Sequence, residues 1–369
     1  MKVMTVLGAR PQFIKAATVS RVISATDGVD EVIVHTGQHF DSNMSEVFFE
    51  QLDIPSPHHH LKVGGLSHGA MTGRMVEQVE ALIDEDRPDV VLVYGDTNST
   101  LAATLAAVKV HVPVAHVEAG LRSANPLMPE ELNRILTDRS SSLLFCPTEE
   151  AMRSLKREGF PYAAVGFRQS VVEQKMFLSG DVMFDAVEYY KEKALAEVRL
   201  EDFGVEEGFI LCTLHRQENT DDEKRLSSIL AALVEIAANQ QLIMPLHPRT
   251  RAKLQGHKLL KNGSGIRFVE PMPYLEMQRL QMAASLILTD SGGVQKEAYF
   301  HGVPCVTLRE QTEWVELVAA GHNVLVGACP EKIKAAVSQK PSRFKATASL
   351  YGNGSAASTI VEKVLDASS

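Results

Sequence analysis

Cysteine is scarce in this sequence, with only four among 369 residues, at Cys146, Cys212, Cys305 and Cys329. They lie far apart in the sequence, so they show neither the paired spacing of a zinc site nor the pattern of a disulfide framework. We therefore expect free, buried thiols in a reducing compartment. The chain also lacks an apolar run long enough to cross a membrane, and its N-terminus lacks the apolar core of a signal peptide. These absences favour a cytoplasmic protein that does not contact a membrane.

Positive charge is also limited, since 37 Lys and Arg face 46 Asp and Glu, for a net charge of −9. A general nucleic-acid binder is usually basic, so we expect no nucleic acid as a partner. An anionic ligand would have to be held by a local cluster. The run His58-His59-His60 follows two prolines in a predicted loop. A metal site there is an alternative that we do not favour, because no fourth ligand lies nearby in the sequence.

Short apolar, β-branched runs alternate with amphipathic helical patterns along most of the chain, which indicates parallel sheets with helices on both faces. The sequence predicts strands at Val3–Leu7, Glu31–Thr36, Asp89–Tyr94, Val112–Val117, Ser142–Cys146, Phe209–Leu214, Gln241–Leu246, Ile266–Val269, Ser285–Thr289, Pro304–Leu308 and Asn323–Val326. The alternation of strands and helices is interrupted by an irregular piece, 159–179, which lies between two predicted helices. We therefore predict an N-terminal domain over 1–180 and a C-terminal domain over 181–354. A last helix in 355–369 is expected to return to the first domain.

Polar and charged residues follow the predicted strands. In the first series they include Arg10 and Lys15, Gln38-His39, Asp96 and Glu118. In the second they are His215-Arg216, His247-Pro248-Arg249, Asp290 and Arg309-Glu310. Open parallel sheets bind ligands at the carboxyl ends of their strands. Two such sheets predict one active site in a cleft between two domains, although any single one of these residues could be purely structural.

The segment Asp290-Ser291-Gly292-Gly293-Val294-Gln295-Lys296-Glu297 follows an apolar strand and opens a helix. Free N–H groups at a helix N-terminus favour a phosphate, and the glycines let it approach the backbone closely. Glu297 is placed to accept both hydroxyls of a ribose. The alternative is a tight turn capped by Asp290 or Ser291. No G-x-G-x-x-G motif is present, which argues against a dinucleotide cofactor.

The acid–base candidates are Asp96, Glu118, Glu130 and His215. Carboxylates that share one edge of a site can have pKa values raised into a useful range. Each candidate has a structural alternative. Glu130 could form an ion pair with Arg134, four residues later on a helix, and His215 could be a core histidine. Arg10 and Lys15 flank a helix N-terminus and could bind a pyrophosphate, or could form surface salt bridges.

Taken in order, these motifs resemble the non-hydrolysing UDP-N-acetylglucosamine 2-epimerases, and the resemblance covers nearly the whole chain. The matching segments are 8–15, 36–39, 95–97, 117–122, 129–134, 214–219, 246–248, 290–297 and 312–313. The resemblance implies a GT-B-like fold of two Rossmann-like domains, a homodimer, and neither metal nor nicotinamide. It also implies an elimination of UDP to a 2-acetamidoglucal, followed by re-addition.

The resemblance also implies residue roles. Asp96, Glu118, Glu130 and His215 would carry the acid–base and leaving-group chemistry. Substrate and UDP would be bound by Arg10, Lys15, His247, Ser291, Gly292, Gly293, Glu297 and Arg309.

Two departures from the usual family pattern bear on the substrate. Gln12 stands where the typical enzymes have glutamate, and Trp314-Val315 replaces an arginine and a proline. Both changes resemble the subgroup that acts on UDP-2,3-diacetamido-2,3-dideoxy-glucuronate, whose products enter surface polysaccharides. We expect Gln12 to remove repulsion toward the carboxylate of such a substrate.

Three other functions stay open from the sequence. A GT-B glycosyltransferase would use the same UDP site but would require an acceptor pocket. A hydrolysing epimerase would release the free sugar. A catalytically inactive sugar-nucleotide sensor is disfavoured, because Asp96, Glu118, Glu130 and His215 are all present.

Overall fold

The computed structural model describes residues 1–38, 49, 51–123, 125–162, 173–246, 248–254, 265–339, 341–345 and 350–368. For Arg10, Pro248, Arg249 and Ser368 it describes the backbone only. The chain divides into two compact units. Unit 1 comprises Met1–Ala186 and Ala348–Ser369, and unit 2 comprises Val187–Thr347.

Unit 1 is built on a seven-stranded sheet in the order β3-β2-β1-β4-β5-β6-β7, and every neighbouring pair is parallel. The strands are β1 Lys2–Leu7, β2 Asp30–His35, β3 His59–His60, β4 Val90–Tyr94, β5 Val114–Val117, β6 Leu143–Cys146 and β7 Lys175–Leu178. Because all of them run in one direction, their carboxyl ends lie along one edge, and the polar residues that follow β1, β4 and β5 are placed there.

Helices cover both faces of this sheet, because alternate residues of each buried strand are apolar. Val91 and Val93 of β4 pack with Val79 and Ile83 of one helix and Ala103 of the next. The opposite face receives the helices at the two ends of the chain, Arg10–Ser24 and Ala356–Ser368, which pack on each other. The helices of this unit are Arg10–Ser24, His68–Asp86, Asn98–Lys109, Pro129–Ser140, Glu149–Arg157 and Ala356–Ser368.

Unit 2 contains a six-stranded parallel sheet in the order β10-β9-β8-β11-β12-β13. The strands are β8 Ile210–Thr213, β9 Leu242–Pro245, β10 Ile266–Val269, β11 Leu286–Thr289, β12 Cys305–Thr307 and β13 Asn323–Leu325. The helices are Gln217–Thr220, Glu223–Ala237, Pro248–Leu254, Tyr274–Ala283, Gly292–Phe300, Val315–Ala319 and Pro330–Ser338, with a 3-10 turn at Leu200–Phe203. The helix Val182–Glu197 contains the division between the units.

The two faces of the second sheet have separate apolar cores. Ile210 and Cys212 of β8 face one core, whereas Phe209 and Leu211 face the other. The expected architecture of two doubly wound, Rossmann-like parallel sheets is therefore confirmed, and each of the eleven predicted strands is present with ends that differ by two residues or fewer.

Two strands were not predicted. His59–His60 was assigned to a loop, but it pairs with Val34 and His35 at one edge of the first sheet. Lys175–Leu178 lies in the piece called irregular, yet it pairs with β6 at the other edge. Both are edge strands, and neither shows the continuous β-branched run that marks a buried strand.

All four cysteines are free thiols, as expected, and Cys146, Cys212 and Cys305 are buried, but Cys329 is partly exposed, so the expectation of burial is wrong for it. The cytoplasmic location inferred from the cysteines stays a prediction. Among the described residues, no helix combines the length and the apolar character needed to cross a membrane.

Candidate active site

The turn that follows β5 holds Glu118 in a left-handed backbone conformation, with φ at +75°. This conformation is costly for a residue with a side chain, and such strain is concentrated at functional sites. The Glu118 carboxylate forms an ion pair with Lys15 of the first helix, and the two side chains are only 9% and 10% exposed. Gly95 leaves room for this pair, since a Cβ there would lie 3.1 Å from Glu118 Oε2 and 3.3 Å from Lys15 Nζ.

Asp96 follows β4 and lies in the same row of strand ends. Its carboxylate accepts a hydrogen bond from Arg134 Nη2 at 2.6 Å, and its side chain is 29% exposed. Arg134 also donates to Glu131 at 2.8 Å, and Glu131 accepts from the backbone N–H and the hydroxyl of Ser123. Asp96 is therefore held in place by a buried ion pair while one side of it stays accessible.

Glu130 begins the helix Pro129–Ser140 together with Glu131, but the two carboxylates have different surroundings. Arg134 pairs with Glu131 and with Asp96. Among the described residues, no group hydrogen-bonds to the Glu130 carboxylate. The alternative interpretation of Glu130 as the partner of Arg134 is therefore wrong, and Glu130 remains available for a ligand.

A fully buried polar network lies behind these turns. His116 of β5 donates from Nδ1 to Asp138 at 2.7 Å and from Nε2 to the Gly95 carbonyl oxygen at 2.7 Å. Asp138 also accepts from Arg122 Nη1 at 2.7 Å and from the Gly120 N–H at 3.1 Å. Burial acts to raise the pKa of Asp138, but His116 and Arg122 outweigh it and hold this pKa below its usual range. His116 and Asp138 were not predicted as site residues, because His116 lies within β5 and Asp138 within a helix, and neither follows a strand.

Gln12 does not have the position expected for a substrate contact. Its side chain is 1% exposed. Its Oε1 accepts from the N–H groups of Gly8 and Ala9 at 2.9 and 3.0 Å. Its Nε2 donates to the Tyr94 carbonyl oxygen at 2.9 Å and to Thr97 Oγ1 at 3.0 Å. Gln12 joins the turn after β1 to the turn after β4, so the expectation that it tunes repulsion toward a substrate carboxylate is wrong.

In unit 2, the helix Gly292–Phe300 begins at the carboxyl edge of the sheet, directly after β11. Ser291 is its N-cap and accepts a hydrogen bond from the Val294 N–H. The backbone at Gly292 and Gly293 thus forms the first turn, with no side chain to obstruct a ligand. This geometry is compatible with the predicted anion site and also with the alternative of a capped turn, because the same N–H groups can bind an anion or a capping side chain.

Asp290 is completely buried. Its carboxylate accepts from the N–H groups of His215 at 3.1 Å and Arg216 at 2.9 Å, and from Asn219 Nδ2 at 3.1 Å. This carboxylate thereby fixes the turn after β8 beside the turn after β11. His215 Nδ1 lies 3.3 Å from Asp290 Oδ1 while the imidazole is 41% exposed. The alternative of a buried core histidine is therefore wrong, and the ring is oriented by a carboxylate, as an acid–base histidine requires.

Glu297 lies on the second turn of the same helix and is buried. Its Oε2 accepts a hydrogen bond from Gln281 Nε2 at 2.6 Å. An anchored carboxylate of this kind has a fixed direction, which suits the recognition of hydroxyl groups.

Arg309 follows β12 and is buried against Glu313. Its Nη1 and Nη2 donate to the two carboxylate oxygens at 3.0 and 3.2 Å, and Arg216 Nη2 lies 3.7 Å from Glu313 Oε1. Burial acts to raise the pKa of Glu313, but the two arginines outweigh it and lower this pKa. The structure thus places Arg309 in a protein ion pair beside Arg216, and its predicted contact with substrate stays a prediction.

Trp314 is buried against the first turn of the helix Gly292–Phe300. Its Nε1 donates to the Gly292 carbonyl oxygen at 2.9 Å, and the Lys296 ammonium lies 4.1 Å from the centre of its ring. Trp314, which departs from the usual family pattern, therefore contacts the loop that is predicted to bind phosphate. Composition alone could not show this, because the contact joins segments that lie 22 residues apart.

Two predicted ligands cannot be placed. His247 lies outside the described residues, and the side chain of Arg10 does too. The three histidines that were predicted in a loop each contact a different group. His58 Nδ1 accepts from the Ile33 N–H, His59 lies 2.9 Å from Asp86, and the His60 ring packs near His35. Among the described residues, no three potential metal ligands cluster together.

Known proteins resemble the chain along nearly its whole length. Residues 21–365 match the family model described as UDP-N-acetylglucosamine 2-epimerase. The UDP-2,3-diacetamido-2,3-dideoxy-D-glucuronate 2-epimerase of Pseudomonas aeruginosa is 52% identical, over 98% of this chain and 99% of that protein. The Methanocaldococcus jannaschii UDP-GlcNAc 2-epimerase, solved with UDP-GlcNAc and UDP, is 40% identical with a TM-score of 0.88, covering 99% and 100% of the two chains.

A second solved structure extends the likeness. The Neisseria meningitidis UDP-GlcNAc 2-epimerase bound to UDP-GlcNAc is 31% identical with a TM-score of 0.88, covering 99% of this chain and 100% of that one. These likenesses confirm the GT-B-like fold expected from the sequence.

Proposed function

The chain belongs to the UDP-N-acetylglucosamine 2-epimerase family, a family of isomerases, and from this premise we propose that it inverts C2 of a UDP-linked 2-acetamido sugar. One observation carries the proposal. Asp96 and Glu118 follow neighbouring strands of one parallel sheet. The helix beside them begins with Glu130, whose carboxylate has no partner in the described part of the chain. Inversion at carbon requires groups that remove a proton on one face and return it on the other, and a set of carboxylates supplies them.

The proposed reaction passes through elimination. A base removes the C2 proton, the electron pair forms the C1–C2 double bond, and the C1–O bond to UDP breaks. The products of this step are UDP and a 2-acetamidoglucal. A proton then arrives at C2 on the opposite face, UDP re-adds at C1, and the net change is inversion. No oxidant or reductant is required.

The nucleotide portion is assigned to unit 2. We assign the diphosphate to the first turn of the helix that begins at Gly292 and Gly293, where Ser291 is the cap, and the ribose to Glu297. His215, oriented by Asp290, is placed to donate a proton to the departing UDP oxygen. Roles for Arg10, Lys15, His247 and Arg309 as substrate ligands remain part of the proposal.

Exchange with solvent tests the mechanism. Turnover in deuterated water, followed by NMR of the sugar, is expected to give product with deuterium at C2. Unlabelled product would exclude the elimination route. Release of the free sugar would instead indicate a hydrolase, and UDP released only when an acceptor is added would indicate a glycosyltransferase.

Two adjacent glutamates provide a matched pair of variants. Glu130→Gln is expected to lower kcat by about 10²-fold, the usual scale for an acid–base group. Thermal stability is expected to be unchanged, because the Glu130 carboxylate has no partner among the described residues. Glu131→Gln removes a buried acceptor of Arg134 and Ser123, so its main effect is expected on stability. Normal turnover by Glu130→Gln would remove this residue from the mechanism.

Calorimetry with UDP tests the nucleotide site separately. Glu297→Ala is expected to weaken binding by about 1.5–3 kcal/mol, the scale of hydrogen bonds to a charged group. Gln281→Ala, which removes one hydrogen-bond donor to Glu297, is the control and is expected to have a smaller effect. Equal UDP affinity of wild type and Glu297→Ala would contradict a ribose-binding role.

For the substrate, we propose UDP-2,3-diacetamido-2,3-dideoxy-glucuronate in preference to UDP-GlcNAc, as a step in surface polysaccharide synthesis. The support is the Pseudomonas relative that is named for this substrate and is 52% identical, together with Trp314 at the phosphate loop. Parallel measurement of kcat/KM for the two substrates decides the question. Turnover of UDP-GlcNAc alone would contradict this choice without affecting the assignment as an epimerase.

We also propose that the protein is a homodimer. The helix Pro129–Ser140 and the turn before it expose Leu127, Leu132, Ile135 and Leu136 to solvent. An exposed apolar face of this kind is typical of a subunit interface. Sedimentation of wild type and of Leu132→Asp is expected to show a dimer and a monomer respectively, and a monomeric wild type would contradict the proposal.

A further inference from the structure

The helix Pro129–Ser140 presents a third buried charged residue to the interior of unit 1, one turn after Arg134 and after Glu131. Asp138 is completely buried, and its two oxygens have three partners. Oδ1 accepts from His116, while Oδ2 accepts from Arg122 and from the Gly120 N–H. One carboxylate thus connects the turn after β5 to the interior of the helix.

His116 extends this connection to the turn after β4. Its Nε2 lies 2.7 Å from the Gly95 carbonyl oxygen. A carbonyl can only accept, so Nε2 must carry a proton. Its Nδ1 is occupied by Asp138 at 2.7 Å. Because both ring nitrogens are hydrogen-bonded within the protein, neither is available for substrate, so His116 does not act as an acid or a base.

The turn after β5 needs such support. Glu118 has φ at +75°, which is costly for a residue with a side chain, whereas Gly95 and Gly120, at +64° and +81°, adopt positive φ without strain. A strained turn persists only where its surroundings fix it. Gly95 directly precedes Asp96, and Gly120 follows Glu118 by two residues, so the hydrogen bonds to Asp138 and His116 act next to both carboxylates.

We propose that Asp138 and His116 are positioning residues that set Asp96 and Glu118 at the separation that proton transfer at C2 requires. This inference rests on the proposed function, since it assumes that those two carboxylates act on the substrate. Neither positioning residue touches the substrate. Their effect is expected in kcat rather than in nucleotide binding, because the diphosphate and ribose are assigned to unit 2.

Two amide replacements of His116 separate the two hydrogen bonds. In His116→Gln the amide nitrogen lies where Nε2 was, so the donor to the Gly95 carbonyl is kept. In His116→Asn it lies where Nδ1 was, so only the donor to Asp138 is kept. We expect His116→Asn to lower kcat by about 10²-fold, the loss that misplacement by about 1 Å can produce. His116→Gln is expected to stay within about threefold of wild type, with UDP affinity equal in all three proteins.

A merely structural role predicts a different result. Both variants lose the buried imidazole, so they would lose thermal stability and kcat together and to the same extent. Equal losses of kcat in Asn and Gln variants, or no loss in either, would overturn the proposal. Asp138→Ala and Asp138→Asn provide a second pair should the histidine variants fail to fold. Asparagine can still accept from the Gly120 N–H, so it is expected to retain more kcat than alanine, and equal kcat would again overturn the proposal.

Wild-type enzyme assayed beside the variants separates the two levels of inference. If wild type does not invert C2, the proposed function fails and the positioning role fails with it. If wild type is active and the Asn and Gln variants do not differ, the positioning role alone fails.

Discussion

The ion pair between Lys15 and Glu118 predicts a strong energetic coupling that stability measurements can isolate. Both side chains are about nine-tenths buried. Removing one partner of such a pair costs about 3–5 kcal/mol, whereas replacing both with neutral residues costs much less. Lys15→Met and Glu118→Gln should therefore each lower the free energy of unfolding by about 3–5 kcal/mol, and the double variant should lose no more than either single variant. The coupling energy is expected to be about 3 kcal/mol or more.

A double-mutant cycle by urea denaturation at neutral pH measures this coupling. Stability is the appropriate readout because either substitution alone is expected to abolish turnover. The pair between Arg153 and Glu150 is a matched control, since it joins the same charges at 3.0 Å on a helix surface with Arg153 64% exposed. Its coupling is expected below about 0.5 kcal/mol. Additive losses for Lys15 and Glu118, or a coupling no larger than that of the control, would refute the reasoning.

Three further predictions concern single residues. The lowered pKa of Asp138 means that its stabilising charge is complete above the usual carboxyl pKa and is lost as the pH falls through the folded-state value. Wild type should therefore lose stability on acidification below about pH 4, and the denaturation midpoint of Asp138→Asn should depend less on pH in that window. Gln12→Glu should leave the ratio of kcat/KM for uronate and UDP-GlcNAc unchanged, and a loss confined to the uronate would contradict the buried position. Trp314→Phe removes the donor to the Gly292 carbonyl but keeps a ring beside Lys296, so calorimetry should show UDP binding weakened by about 1 kcal/mol; equal affinity would show that the contact does not shape the phosphate loop.

The sequence predicted the fold well where burial and pattern coincide. The interior strands, such as β4 and β11, are continuous apolar runs between two helical layers, and this pattern has few alternative structures. The edge strands β3 and β7 were not predicted, because each pairs with only one neighbouring strand and its residues lack the continuous apolar pattern. Pairing at an edge is decided by tertiary contacts that a local sequence window does not contain.

The site was predictable to a similar degree. Residues directly after strands could be placed at one sheet edge from topology alone, so Asp96 and Glu118 were found together. The prediction that Gln12 affects substrate binding was wrong, because the position of a residue near a turn does not determine whether its side chain points outward or inward. Asp138 could not be found either, since its partners lie 16 to 22 residues away and a helical aspartate is ordinarily exposed.

The placement of the last helix has a consequence for biosynthesis. Ala356–Ser368 belongs to unit 1, where it packs on the helix Arg10–Ser24 and where Asp185 accepts from the Ala356 and Ala357 N–H groups. The strands of unit 1 are translated before unit 2, but its helix Ala356–Ser368 is translated after unit 2. Unit 2, which is continuous in sequence, has all of its residues available earlier. One face of the sheet in unit 1 therefore stays incompletely covered until unit 2 has been synthesised.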